Sequence, residues 1–138
     1  MEGGHATAAR RVTTVVDASV VLRLLLENSQ RAAEVVRRGE LAAPAVIVPE
    51  TGNGLAKEVR FGRVNLEQAE SLLDDALALP IELVPDAEIA SNALRAASRH
   101  DLSVYDASYI ALAERLRAPL VTADRRLAER YSRSELIA

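Results

Sequence analysis

The chain has no cysteine, no tryptophan, one methionine and one lysine, and aromatic residues make up only 3% of it. Without thiols there are no disulfides, no zinc–thiolate sites and no cysteine nucleophile, which fits a reducing compartment. So few aromatics argue against a stacking platform for unpaired bases. The two histidines, His5 and His100, lie far apart in the chain, and no Ser-His-Asp pattern accompanies them. No apolar stretch approaches the roughly 18 residues that a membrane span requires. The opening MEGGHATAAR lacks the apolar centre of a signal peptide. These absences lead us to expect a cytoplasmic protein without membrane association, with a flexible tail at 1–11 and one domain at 12–138. An excess of basic charge is also missing: the net charge is −3, which weighs against simple binding to a nucleic-acid backbone. Lys57 is the only lysine, and the other basic residues are arginines. Arginine suits bidentate phosphate contacts, but a codon bias gives the same skew and is the simpler cause.

What the chain does have is apolar content of 49%, ample for one core. The β-branched run Val12–Val16 predicts a buried strand. Helical patterns follow at Ala18–Leu26 and Gln30–Arg38, the second ending at Gly39. Leu41–Ala45 reads as a second strand, and Pro49 as the opening of a helix that closes near Gly62. Asn65 and Gln68 form a capping box before the next helix, which Pro80 stops. Ile81–Val84 is a third strand, and Pro85-Asp86 starts a helix reaching His100. Ser103 caps a helix on which Tyr105, Tyr109, Leu112 and Leu116 share one face, so both tyrosines are expected in the core. Pro119–Thr122 is a fourth strand, Arg125–Tyr131 a short helix, and Glu135–Ala138 an edge strand. Strands alternating with helices imply an α/β/α sandwich around a mainly parallel sheet of four to five strands.

In such a sheet ligands gather beyond the carboxyl ends of the strands. Asp17 directly follows the first strand, Glu50 lies in the first turn of the helix after the second, and Asp124 follows the fourth strand by two residues. Asp106 lies in the first turn of the helix leading into that fourth strand. Taken singly, each acid could merely cap a helix, as Asp86 also does. Taken together they would repel one another: two carboxylates about 4 Å apart cost on the order of 4 kcal/mol at an effective dielectric of about 20. A hard divalent cation such as Mg²⁺ removes that penalty and accepts oxygen ligands. Two such ions can clamp the attacking and leaving oxygens of a phosphodiester displacement, with activated water as nucleophile.

Three segments resemble the signatures of PIN-domain nucleases, and specifically of VapC-type toxins: VVDASVVLRLLL around Asp17, YDASYIALAERL around Asp106 and PLVTADRRLA around Asp124. Glu50, in APAVIVPETGNGL, matches the second acid of that family, and Asn53 matches its asparagine three positions on. The resemblance implies a PIN-like fold with Mg²⁺- or Mn²⁺-dependent endoribonuclease activity. It further implies a homodimer and inhibition by a cognate VapB-type antitoxin. On the same basis Asp17, Glu50, Asp106 and Asp124 are the metal-binding catalytic acids, with Ser19 and Thr122 in supporting positions. The alternative is a non-catalytic PIN-like module that binds RNA or protein. Other Mg²⁺-dependent folds fit less well. A haloacid-dehalogenase-like site wants Asp-x-Asp where this chain has Asp17-Ala18-Ser19, and a receiver domain wants a lysine at its last strand, where Lys57 does not lie.

Gly52 and Gly54 depart from the family pattern. Each glycine in a helix interior costs roughly 1 kcal/mol against alanine, so a loosened helix start around Glu50 is expected. RNA contacts are expected from arginines such as Arg23, Arg60, Arg63, Arg125 and Arg126.

Overall fold

A computed structural model describes residues 13–137; the expected tail at 1–11 lies outside them. The described residues form a five-stranded, wholly parallel sheet. The strands are β1 (Thr14–Val16), β2 (Leu41–Pro44), β3 (Ile81–Val84), β4 (Leu120–Thr122) and β5 (Ser134–Leu136), in the order β3-β2-β1-β4-β5. The first strand is therefore the centre of the sheet. Its Thr14, Val15 and Val16 are buried, as is usual for a strand with neighbours on both sides and helices on both faces. The edge strand β3 is only partly covered, and its Leu83 is exposed.

The helices are α1 (Ala18–Glu27), α2 (Gln30–Arg37), α3 (Ile47–Arg60), α4 (Leu66–Leu77), α5 (Asp86–His100), α6 (Val104–Leu116) and α7 (Arg125–Ala128). Their ends follow local chemistry. Ser29 accepts from the Ala32 N–H at the start of α2, and Gly39 just beyond that helix takes a positive φ of 73°. Asn65 and Gln68 make the predicted reciprocal capping box on α4, and Ser103 accepts from the Asp106 N–H.

Helix α6 is central to the packing. Every residue from Ala107 to Ala113 is buried, including Tyr109, Ile110 and Leu112. Its small residues allow close approach: Ala107 packs with Ala96 and Ala97 of α5 in a second, smaller cluster. The main core joins Val15, Val16, Val20, Ile47, Ile89, Leu120, Val121, Leu127 and Ile137 across both faces of the sheet.

Three sequence expectations need correction. Helix α3 begins at Ile47, two residues before Pro49. Proline still sits in the first turn, where its missing N–H has no intrahelical partner to lose. Helix α7 ends at Ala128 instead of Tyr131. Tyr131 instead donates its hydroxyl to the Ala118 carbonyl. Tyr105 is 63% exposed and Leu116 41% exposed, whereas Tyr109 and Leu112 on the same predicted stripe are buried. Both exposed residues lie at the ends of α6, beyond the span that the sheet and α5 cover.

Candidate active site

The carboxyl edge of the sheet carries an open cleft of about 390 Å³. It is lined by Asp17, Ala18, Ser19 and Leu22 from β1 and α1, and by Glu50, Asn53, Gly54 and Lys57 from α3. Asp106 and Tyr109 of α6, with Asp124 beyond β4, complete it. All four acids singled out from the sequence thus face one space. Asp106, whose position the strand order alone did not fix, reaches it because the first turn of α6 opens onto the same edge.

Asp17 is the most confined of the four, at 5% exposure. It caps α1: Oδ1 accepts from the Ser19 and Val20 N–H groups at 3.1 and 3.3 Å, and from the Ser19 hydroxyl at 2.5 Å. Its Oδ2 accepts from Thr122 Oγ1 at 2.6 Å, which leaves that oxygen capacity for another partner. Thr122 Oγ1 in turn accepts from the Asp124 N–H at 2.9 Å, and Ser19 Oγ from the Ala123 N–H at 2.8 Å. The capping and site readings of Asp17 are therefore compatible: the cap orients a carboxylate that the two hydroxyls tie to β4. Burial raises the Asp17 carboxyl from 3.8 to about 6 despite these hydrogen bonds, and the charge of Asp124 adds to the rise.

Two of the other acids, Glu50 and Asp106, are shifted in the same direction. Burial raises the Glu50 carboxyl, opposed by a hydrogen bond from Tyr109 and reinforced by the charges of Asp106 and Asp86. Burial likewise raises Asp106, with Asp124 adding to the shift and Arg126 opposing it. Asp124 caps α7, its Oδ1 accepting from the Arg126 and Leu127 N–H groups at 2.9 and 3.3 Å. Asp86, assigned no chemistry, lines neither the cleft nor the recess beside it, and it does not cap its own helix as expected: its carboxylate accepts from the Val46 N–H at 3.3 Å.

The glycines do not loosen α3, which runs unbroken past both of them. A Cβ on Gly54 would lie 2.5 Å from Leu22 Cδ1, so the absent side chain is what lets α1 and α3 close in as the cleft's two walls. Gly52 faces open space and has no such role.

Sequence reading missed Tyr109, which it assigned to packing alone. Its ring is in the core, but its hydroxyl donates to Glu50 Oε1 at 2.5 Å and so joins α6 to α3. Burial and the neighbouring Glu50 and Asp17 charges raise the phenol further above its ordinary range, so it stays a donor. The available signal was spacing: Tyr109 is one helical turn beyond Asp106. Lys57 was also passed over, though Glu50, Asn53, Gly54 and Lys57 lie at i, i+3, i+4 and i+7 on one face of α3. Exposed Tyr105 borders an adjoining recess with Val46, Pro49, Glu50 and Asn53.

The model of the PIN domain family matches residues 14–132. This chain belongs to the PIN domain family. It is 34% identical over 122 residues to ribonuclease VapC3 of Pyrobaculum aerophilum, covering 85% of this chain and 93% of the relative. It is 37% identical over 122 residues to ribonuclease VapC1 of Mycobacterium tuberculosis, covering 83% and 87%. Among solved structures, this PIN domain is similar to PAE2754 of Pyrobaculum aerophilum, with a TM-score of 0.74 and 32% identity over 90% of this chain and 83% of the other. The fold also matches M. tuberculosis VapC20, described as a sarcin-ricin loop cleaving toxin, with a TM-score of 0.62 at 17% identity over 85% and 94% of the chains.

The donor set of the PIN cleft is entirely hard oxygen, the kind that Mg²⁺ and Mn²⁺ prefer. Among the described residues no three acidic side chains stand as a ready cage for an ion. Mg²⁺ does not require one, since it commonly takes one or two carboxylates and fills its shell with water and substrate phosphate. Asp17 Oδ2 keeps a lone pair beyond its bond from Thr122, and the other acids line the same cleft, so the residues fit a divalent cation by the chemistry of their oxygens. No helix of the described residues is long and apolar enough to cross a membrane.

Proposed function

We propose that this PIN domain is a metal-dependent endoribonuclease that hydrolyses RNA phosphodiester bonds as the toxin of a type II toxin–antitoxin pair. The observation that carries the reading is the convergence of four carboxylates, from four separate stretches of chain, on one open cleft. Asp17 and Asp124 also cap helices, but an uncharged Ser, Thr or Asn serves a cap as well, and acids gathered in one cleft repel one another. The names of the relatives support RNA as the substrate class, since those aligned over most of this chain are called ribonucleases. One structural neighbour is a VapBC pair from Rickettsia felis and another a toxin–antitoxin complex from Klebsiella pneumoniae. By analogy we assign this chain a small VapB-type antitoxin as partner, a homodimeric state and a cytoplasmic site of action.

Asp17, Glu50, Asp106 and Asp124 would hold Mg²⁺ or Mn²⁺. Such a cation, when bound, offsets charge developing on the phosphate and makes water a stronger acid. The chain's own residues prepare the site. Ser19 and Thr122 donate to opposite oxygens of Asp17 and fix its plane against β4. Tyr109 holds one oxygen of Glu50. A carboxylate held in this way needs little reorganisation when substrate arrives.

Incubation of purified protein with total cellular RNA and Mg²⁺ or Mn²⁺, beside an EDTA control and Asp17→Asn, tests the reading. Cleavage that needs the cation and disappears in the variant is the expected result, and mapping the new ends names the substrate. Intact tRNA, rRNA and mRNA in all lanes, with protein freed of any co-purified partner, would leave the non-catalytic binding module as the better description.

A further inference from the structure

The cleft is a poor place for a polyanion. Four carboxylates line it, and none of the arginines expected to contact RNA does so. Arg23 pairs with Glu27, and Arg63 is engaged by Glu58, both away from the lining. One cation does line the cleft: Lys57, the only lysine of the chain. It is exposed and forms no ion pair among the described residues. If its task were to neutralise the acids, it would stand at salt-bridge distance from one of them. Instead it lies seven residues beyond Glu50 on the same face of α3, about 10 Å along the helix axis. The Leu22–Gly54 approach keeps that stretch of α3 close against α1, so Lys57 lines the same cleft as the four acids while lying further along α3 than Glu50.

Resting on the nuclease reading, we infer that Lys57 is a substrate-binding residue that holds a backbone phosphate of the RNA strand to one side of the scissile bond. A flexible stem carrying a compact charge suits a phosphate whose position varies with sequence. Such a contact positions the strand and carries no base preference. It also gives an acidic protein a local attraction for RNA that its net charge of −3 does not provide.

Binding separates this role from a structural one. The Asp17→Asn protein, in which turnover is expected to stop, is titrated with and without Lys57→Ala. The probe is a fluorescently labelled mixed-sequence single-stranded RNA of about 20 nucleotides, in Mg²⁺, between about 50 and 300 mM KCl. Loss of one phosphate contact should weaken binding about fivefold or more at the low-salt end and flatten the slope of log Kd against log salt by about 0.7. Lys57→Arg should restore the slope, and the melting temperature should stay unchanged because the side chain is exposed. Equal affinity and slope with and without Lys57 would overturn the inference while leaving the nuclease reading intact. So would a shift only in the Mg²⁺ concentration needed for half-maximal binding, which would make Lys57 a neutraliser of the acids. Failure of the Lys57-intact protein to bind, together with failure of the wild type to cut RNA, would overturn both.

Discussion

Replacing Asp17 by asparagine should make the metal-free protein more stable while abolishing its activity. The carboxyl is 5% exposed and sits at about 6 in the folded state against 3.8 in the unfolded chain. A native carboxyl raised in this way keeps a proton that the unfolded chain has already lost. Stability therefore falls as pH rises from 3.8 to about 6, and the loss is complete above that window. The shift corresponds to about 3 kcal/mol of destabilisation at neutral pH. Asparagine removes the charge but sets an amide N–H against Thr122 Oγ1, which already accepts from Asp124. Disturbing that bond costs about 1 kcal/mol, leaving a net gain of roughly 1–3 kcal/mol. In a domain of this size that is roughly 4–12 °C in Tm. Thermal melts in EDTA at pH 7.5 and pH 4.5 read the effect. At the lower pH the charge penalty in the wild type shrinks to about 1 kcal/mol, so the two proteins should then melt nearly together. Saturating Mg²⁺ should raise the wild-type Tm more than that of the variant, which keeps three of the four acids, narrowing or inverting their order. A variant that melts no higher than wild type at pH 7.5 in EDTA, or a gap that is the same at both pH values, would refute the claim that Asp17 is a buried anion lacking its counter-charge.

Tyr109→Phe keeps the buried ring but releases Glu50; kcat should fall about tenfold or more with KM for RNA little changed and Tm within about 3 °C, read by steady-state cleavage and melting. Tyr109→Ala should cost about 3–5 kcal/mol in denaturant unfolding, while Tyr105→Ala should stay within about 0.5 kcal/mol because its ring is exposed. Gly52→Ala, in open space on a helix, should stabilise by about 0.5–1 kcal/mol. Gly54→Ala should forfeit that gain, because its Cβ meets Leu22, and the same chemical-denaturation curves distinguish the two. Dialysis against EDTA should abolish RNA cleavage, with Mg²⁺ or Mn²⁺ restoring it and metal-free buffer alone failing to do so.

The chain itself determined the order and type of the elements, because each carries local chemistry that acts within a few residues. The β-branched run before Asp17, the Asn65–Gln68 box and Ser103 all work this way, and the strands and helices they announce are present. Asp17, Glu50 and Asp124 could be placed on one edge from connectivity, since a parallel sheet puts every strand's carboxyl end on the same side. What only the tertiary structure decided was which neighbours those residues meet. Periodicity put Tyr105 and Tyr109 on one stripe, but a stripe does not say where the covering layer ends, and one tyrosine is exposed while the other is buried. Nor does it reveal that the buried ring turns its hydroxyl toward Glu50, 59 positions away in the chain. Gly54 read as a weakness because helix propensity is local, whereas its value lies in Leu22 of another helix. Helical spacing puts Lys57 on the face of Glu50, but only the tertiary structure sets it beside carboxylates from three other segments of the chain.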